Sequence, residues 1–111
     1  MGFVKPANGV IFADEKIENS FNNLPDNDII KKAINRTIEN LKENIFCGKN
    51  ISKKLIPKEY IQKYEIENLW RYPLPNGWRL VYSVITPSNN KLLAMIIEYF
   101  SHPDYEKKGN Y

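Results

Sequence analysis

A single cysteine, Cys47, and a single histidine, His102, stand in a chain of 111 residues. One cysteine excludes an internal disulfide and any cysteine-rich metal site, and it suits a reducing compartment. One histidine beside one cysteine argues against zinc, so no metal and no other cofactor is expected. Long apolar runs are also missing. The longest, Leu92 to Ile97, is far too short to cross a bilayer. The N-terminus lacks the apolar core followed by small residues that marks a secretory signal. The expectation is a soluble, cytoplasmic protein with no membrane partner. Charge of one sign does not dominate either: 16 basic residues against 13 acidic ones leave a formal +3. With so small a sum, the placement of charge matters more than its total.

What is present points to one domain over residues 1–111, with 1–9 as a loose lead-in. A domain of this size buries roughly 65% of its unfolded surface, enough for one modest core. The most informative stretch runs from Leu69 to Ile85. Trp78, Leu80, Tyr82 and Val84 alternate with Arg79, Val81, Ser83 and Ile85. That period of two belongs to a strand with two different faces. Trp70, Tyr72 and Leu74 alternate in the same way just before it. Asn76-Gly77 separates the two runs and tolerates the positive φ of a tight hairpin. Pro73 and Pro75 place the first arm at a sheet edge or a bulge. Each arm carries an arginine, Arg71 or Arg79, which must be functional, paired or solvated.

Upstream, Val10–Ala13 reads as a short strand, and Asp14 can cap a helix carrying Ile17, Phe21 and Leu24. Pro25 ends that helix. A second helix starts near Asp26–Asp28, with an apolar stripe from Ile30 through Leu41 to Ile45. Gly48 is expected to close it in a left-handed cap. Residues 49–64 form a basic connection with Lys49, Lys53, Lys54, Lys58 and Lys63, and Pro57 can open a short helical turn. Leu92–Phe100, almost wholly apolar, reads as a central strand. The expected fold class is α+β: an antiparallel sheet, made of the N-terminal strand and a three-strand C-terminal meander, with a helical hairpin on one face.

Arg79, His102 and Tyr105 are the candidate catalytic groups. If the Arg79 strand and the 92–100 strand are antiparallel neighbours, the end of one lies beside the start of the other. The segment of His102 then lies near Arg79. Arginine holds phosphate oxygens and offsets developing negative charge. Histidine moves a proton near neutrality, and tyrosine stacks on a base or donates its hydroxyl. Lys49, Lys53, Lys54 and Arg71 are candidates for holding the substrate backbone. Plainer readings stand beside these. Arg79 can pair with Glu98 across the two strands, Tyr105 can pack the tail, and a lysine run is commonly a solvated face.

Two segments together resemble a known family. They are Asn68-Leu-Trp-Arg-Tyr-Pro-Leu-Pro-Asn-Gly-Trp-Arg-Leu-Val-Tyr-Ser-Val84 and Ile96-Ile-Glu-Tyr-Phe-Ser-His-Pro-Asp-Tyr-Glu-Lys107. They are similar to the RelE/ParE superfamily of type II toxin–antitoxin toxins, and most like the RelE-like branch. The resemblance spans about residues 10 to 108. It implies a metal-independent endoribonuclease that cleaves mRNA, typically on the ribosome, and is neutralised by a cognate antitoxin. It implies that Arg79 stabilises phosphate, that Tyr105 stacks or transfers a proton, and that His102 serves as acid or base. Arg71, Lys53 and Lys54 correspond more loosely to basic residues of the preceding segment. The chain departs from the family pattern where Trp70 and Tyr72 replace two strand lysines, and where Pro103 follows the histidine. A second reading is therefore kept: a non-catalytic protein of the same fold, either directed at gyrase or only binding an antitoxin.

Overall fold

In a computed structural model, which describes residues 4–88, 90–101 and 103, regular structure begins at β1 (Gly9–Phe12). Asp14 then caps α1 (Glu15–Asn22), its carboxylate accepting the Ile17 N–H at 2.9 Å. Asp28 does the same for α2 (Ile29–Glu43), accepting from Ile30 and Lys31 at 2.8 and 3.1 Å. Each cap satisfies N–H groups that the first helical turn cannot.

The helix α2 stops a turn earlier than its apolar stripe suggests. Its C-cap is Asn44, and the next N–H, that of Ile45, donates to the Lys5 carbonyl at 2.7 Å. Lys5 and Ala7, expected to be loose, are thus tied to the end of α2, Ala7 donating to the Lys42 carbonyl at 3.1 Å, and Asn8 donates to the Leu92 carbonyl at 2.7 Å. Ile45 stays fully buried although it has left the helix, so the periodicity persists past the point where the backbone changes partners.

After α2 come the two-residue strand β2 (Lys49–Asn50), a 3₁₀ turn at Lys53–Leu55 and α3 (Lys58–Tyr64), whose N-cap is Pro57. The hairpin follows: β3 (Trp70–Pro73) and β4 (Arg79–Ile85). Asn76 and Gly77 take φ of 59° and 78° in its turn, the left-handed values that this dipeptide tolerates best. β5 (Leu93–Phe100) completes a five-stranded sheet of order β1-β5-β4-β3-β2.

The α+β class is as expected, with three differences of detail. The sheet is mixed, because β1 runs parallel to β5, Gly9 opposite Leu93 and Phe12 opposite Ile96. A fifth strand, β2, extends the other edge antiparallel to β3. And α3 covers the second face of the sheet. The α1/α2 side buries Phe21, Ile34, Leu41, Leu80, Tyr82 and Ile96. The α3 side buries Ile56, Tyr60, Leu69, Val81, Ile97 and Phe100. Covered on both faces, β4 buries four successive residues, Leu80 to Ser83. This is why its alternation is one of residue size more than of polarity.

A β-bulge interrupts the β4–β5 ladder. Tyr82 lies opposite Ile96, but Val81 lies opposite Glu98, so β5 carries one extra residue there. Ile97 and Glu98 both turn toward α3: Ile97 joins the core beneath it, and Glu98 accepts a short hydrogen bond from the Tyr60 hydroxyl. Past the bulge, Tyr99 returns to the α1 side, 2.6 Å from the Ser20 hydroxyl. Among the described residues no helix is long and apolar enough to cross a membrane.

Candidate anion-binding site

The arginines of the hairpin come together on one face. Arg71 lies opposite Val81 in the β3–β4 ladder, and Arg79 lies two residues from Val81 along β4. Residues directly opposite in a ladder share a face, and so do residues two apart on a strand. Arg71 and Arg79 are therefore diagonal neighbours on the α3 side. Lys49 lies opposite Arg71 on β2, which adds a third cation to the same face. The three side chains line one open hollow of 310 Å³, together with Cys47, Gly48 and Pro73. Arg79 is half-buried, and its Nη1 donates to the Trp78 carbonyl at 3.0 Å, a bond that helps fix the guanidinium at the end of its strand.

The loop that forms the wall of this hollow is held from the opposite side of the sheet. The buried Tyr82 hydroxyl donates to the Ile45 carbonyl at 2.9 Å and accepts the Gly48 N–H at 3.0 Å. Burial raises its pKa far above the ordinary tyrosine value, so it remains a neutral donor. Gly48 is required by close approach and not by a left-handed cap. A Cβ there would stand 2.7 Å from the Tyr82 hydroxyl and 2.8 Å from the Arg71 carbonyl.

Cys47 is exposed as a residue, yet local desolvation of its sulfur raises the thiol pKa. A raised thiol is a poor nucleophile, and no chemistry is assigned to it. Among the described residues no group of three or more His, Cys, Asp or Glu side chains could hold a metal ion.

The sequence candidates divide as follows. Arg79, Arg71 and Lys49 are brought together. Lys53 and Lys54 sit on the exposed 3₁₀ turn and line neither this hollow nor the one adjoining it. His102 and Tyr105 lie outside the described residues. The strand geometry proposed for them does hold as far as it is described: β4 and β5 are antiparallel, with Arg79 opposite Phe100. Trp70 and Tyr72 face the helices instead. Trp70 packs on Phe46 and Tyr82, and the Tyr72 hydroxyl accepts from the Asn40 amide at 2.8 Å.

A second polar cluster was not anticipated. Between α1 and α3, a hollow of 180 Å³ is lined by Asp14, Tyr60, Tyr64 and Glu98 among others. The Tyr64 hydroxyl donates to Asp14 at 2.7 Å, and the exposed Lys63 ammonium stands 3.5 Å from the same carboxylate. The backbone bond from Ile17, then the Tyr64 hydroxyl and Lys63, hold Asp14 below the usual carboxylate value. The available signal was Tyr60 and Tyr64 four apart, on one face of a short helix.

We found no matching protein-family model, curated protein or solved structure for this chain.

Proposed function

We propose that this chain is a toxin of a type II toxin–antitoxin system: a metal-independent endoribonuclease of the RelE-like kind, acting on mRNA at the ribosome in the cytoplasm. The observation that carries the reading is the row Lys49–Arg71–Arg79, three cations on one sheet face lining one hollow. Such a row suits a chain of phosphates, since guanidinium groups grip phosphate in a planar fork and lysine adds a point charge. The opening strand and helix pair, followed after β2 and α3 by the antiparallel β3–β4–β5 run, support the same family resemblance.

On this reading the substrate supplies its own nucleophile. The 2′-hydroxyl attacks the adjacent phosphorus, the P–O5′ bond breaks, and the products carry a 2′,3′-cyclic phosphate and a 5′-hydroxyl. Arg79 offsets the charge that grows on the phosphoryl oxygens. His102 and Tyr105 are assigned the proton transfers, one proton leaving the 2′-oxygen and one reaching the 5′-oxygen. A cognate antitoxin would neutralise the protein by covering part of the domain with a helix or strand.

One observation favours a second reading. The positions where the family pattern has lysines are occupied by Trp70 and Tyr72, which are engaged in packing on the helix side. A domain without those lysines would keep the fold and the antitoxin partner but not cleavage, as a gyrase-directed toxin or an inactive binder would. Inducible expression with mapping of mRNA 5′ ends separates the two. The nuclease reading expects new ends within translated frames, lost in Arg79→Ala together with growth arrest. Arrest without new ends supports the non-catalytic reading, and cleavage undiminished in Arg79→Ala overturns the assigned site.

A further inference from the structure

Resting on the reading of the Lys49–Arg71–Arg79 hollow as a phosphate track, we propose that the neighbouring hollow is a nucleobase subsite. This second hollow, of 240 Å³, is lined by Lys49, Asn50, Ile51, Ser52, Leu55 and Arg71. Lys49 and Arg71 line both hollows, so the two spaces adjoin across these side chains.

The chemistry of the two differs. The first is walled by Lys49, Arg71, Arg79, a proline and a loop. The second has an apolar side: Leu55 is 52% exposed at the end of the 3₁₀ turn, and Ile51 backs it from the core. Beside that apolar side is the Ser52 hydroxyl, which occupies an N-cap position but makes no capping bond. An apolar surface, a guanidinium at its edge and a hydroxyl able to donate or accept are what a flat heteroaromatic ring needs. The ring stacks on aliphatic and guanidinium planes and exchanges one hydrogen bond at its edge. A base entering here stays linked to a phosphate lying between Arg71 and Arg79. The hollow also lies at an edge of the sheet, because β2 is the edge strand. The ligand class is thus an unpaired nucleotide of single-stranded RNA. Free inorganic phosphate and the backbone of a duplex, whose bases are already stacked, should use only the first hollow.

The test compares two ligands of equal charge on the full chain: a ribonucleotide trimer and an abasic ribose-phosphate trimer, titrated with detection by NMR or fluorescence anisotropy. The trimer with bases should bind about tenfold more tightly, within the range expected for one stacked base. The double variant Ser52→Ala/Leu55→Ala changes two exposed side chains. It should erase that tenfold difference and leave the affinity for the abasic trimer unchanged. Equal affinities of the parent for both trimers overturn the subsite, as does a preference for bases that survives in the double variant. The phosphate track fails separately: in that case Arg71→Ala and Arg79→Ala leave abasic binding as it was.

Discussion

The Tyr82 hydroxyl accepts the Gly48 N–H at 3.0 Å from across the sheet, and this one bond joins the core to the wall of the basic hollow. Its oxygen also donates to the Ile45 carbonyl at 2.9 Å. The segment that leads from α2 to Lys49 has no regular structure between Asn44 and Gly48; the Lys5 carbonyl takes its Ile45 N–H, and the buried phenol takes the Ile45 carbonyl and the Gly48 N–H. Tyr82→Phe leaves a main-chain donor and a main-chain acceptor without their partner. The expected loss is about 1–3 kcal/mol, read as a lower urea midpoint with unchanged m-value. Affinity for single-stranded RNA should fall as well, because Lys49 is no longer fixed.

Gly48→Ala tests the same junction from the other side. The added methyl meets the Tyr82 oxygen and the Arg71 carbonyl at under 3 Å. One of these contacts is backbone and cannot swing away, so overpacking of about 1–3 kcal/mol is expected. The double variant Gly48→Ala/Tyr82→Phe should be less destabilised than the sum of the two singles, since both act on one contact. Full additivity by chemical denaturation would show that the junction is not the cause.

The Asp14 carboxylate predicts how stability depends on acidity. Its folded pKa lies below the usual value, chiefly through the Ile17 N–H and then Tyr64 and Lys63. A depressed carboxylate contributes stability that is present above its unfolded pKa and lost as pH falls through the folded one. Asp14→Ala should therefore cost about 1 kcal/mol near neutrality, as loss of an N-cap does. The gap between parent and variant should narrow once the pH falls below the ordinary carboxylate range. Urea unfolding at both acidities checks this, and a constant gap would contradict it.

The cations of the hollow should act on RNA binding through charge. Lys49→Ala, Arg71→Ala and Arg79→Ala should each lower the slope of log affinity against log salt by about 0.7 for a single strand, if each neutralises one phosphate. Arg79→Lys should restore the slope but not the full affinity, because an ammonium cannot form the bidentate fork. Filter binding over a range of salt concentrations measures both.

Much of this fold is legible in the chain, and what is not has identifiable causes. The hairpin declares itself through Asn76-Gly77 and the flanking alternation, and the helix starts through Asp14 and Asp28. These are local signals with local physics. The parallel pairing of β1 with β5 joins Gly9 to Leu93, and no neighbouring residue encodes that choice. The early end of α2 depends on the Lys5 carbonyl taking over the Ile45 N–H, a partner far away in sequence. The role of Gly48 is hidden for a related reason, since a glycine needed for close approach looks the same in sequence as one needed for its φ. At the site, strand alternation set each arginine apart from the aromatic residues of its own arm, but the β3–β4 register, with Arg71 opposite Val81, is what puts Arg71 and Arg79 on one side. That Lys49 joins them, while Lys53 and Lys54 do not, depends on a two-residue strand too short to show a period.

The bulge in β5 has a consequence for how that strand tolerates change. Because Val81 skips from Ile97 to Glu98 while Tyr82 stays with Ile96, the ladder on either side would remain aligned if one of that pair were removed. One residue there is supernumerary to the architecture. The chain gives up a regular pleat to hold a carboxylate against the Tyr60 phenol. A chain shortened by Glu98 alone would keep its topology, with Tyr99 and Phe100 on their present sides, and would lose the carboxylate that the Tyr60 hydroxyl bonds.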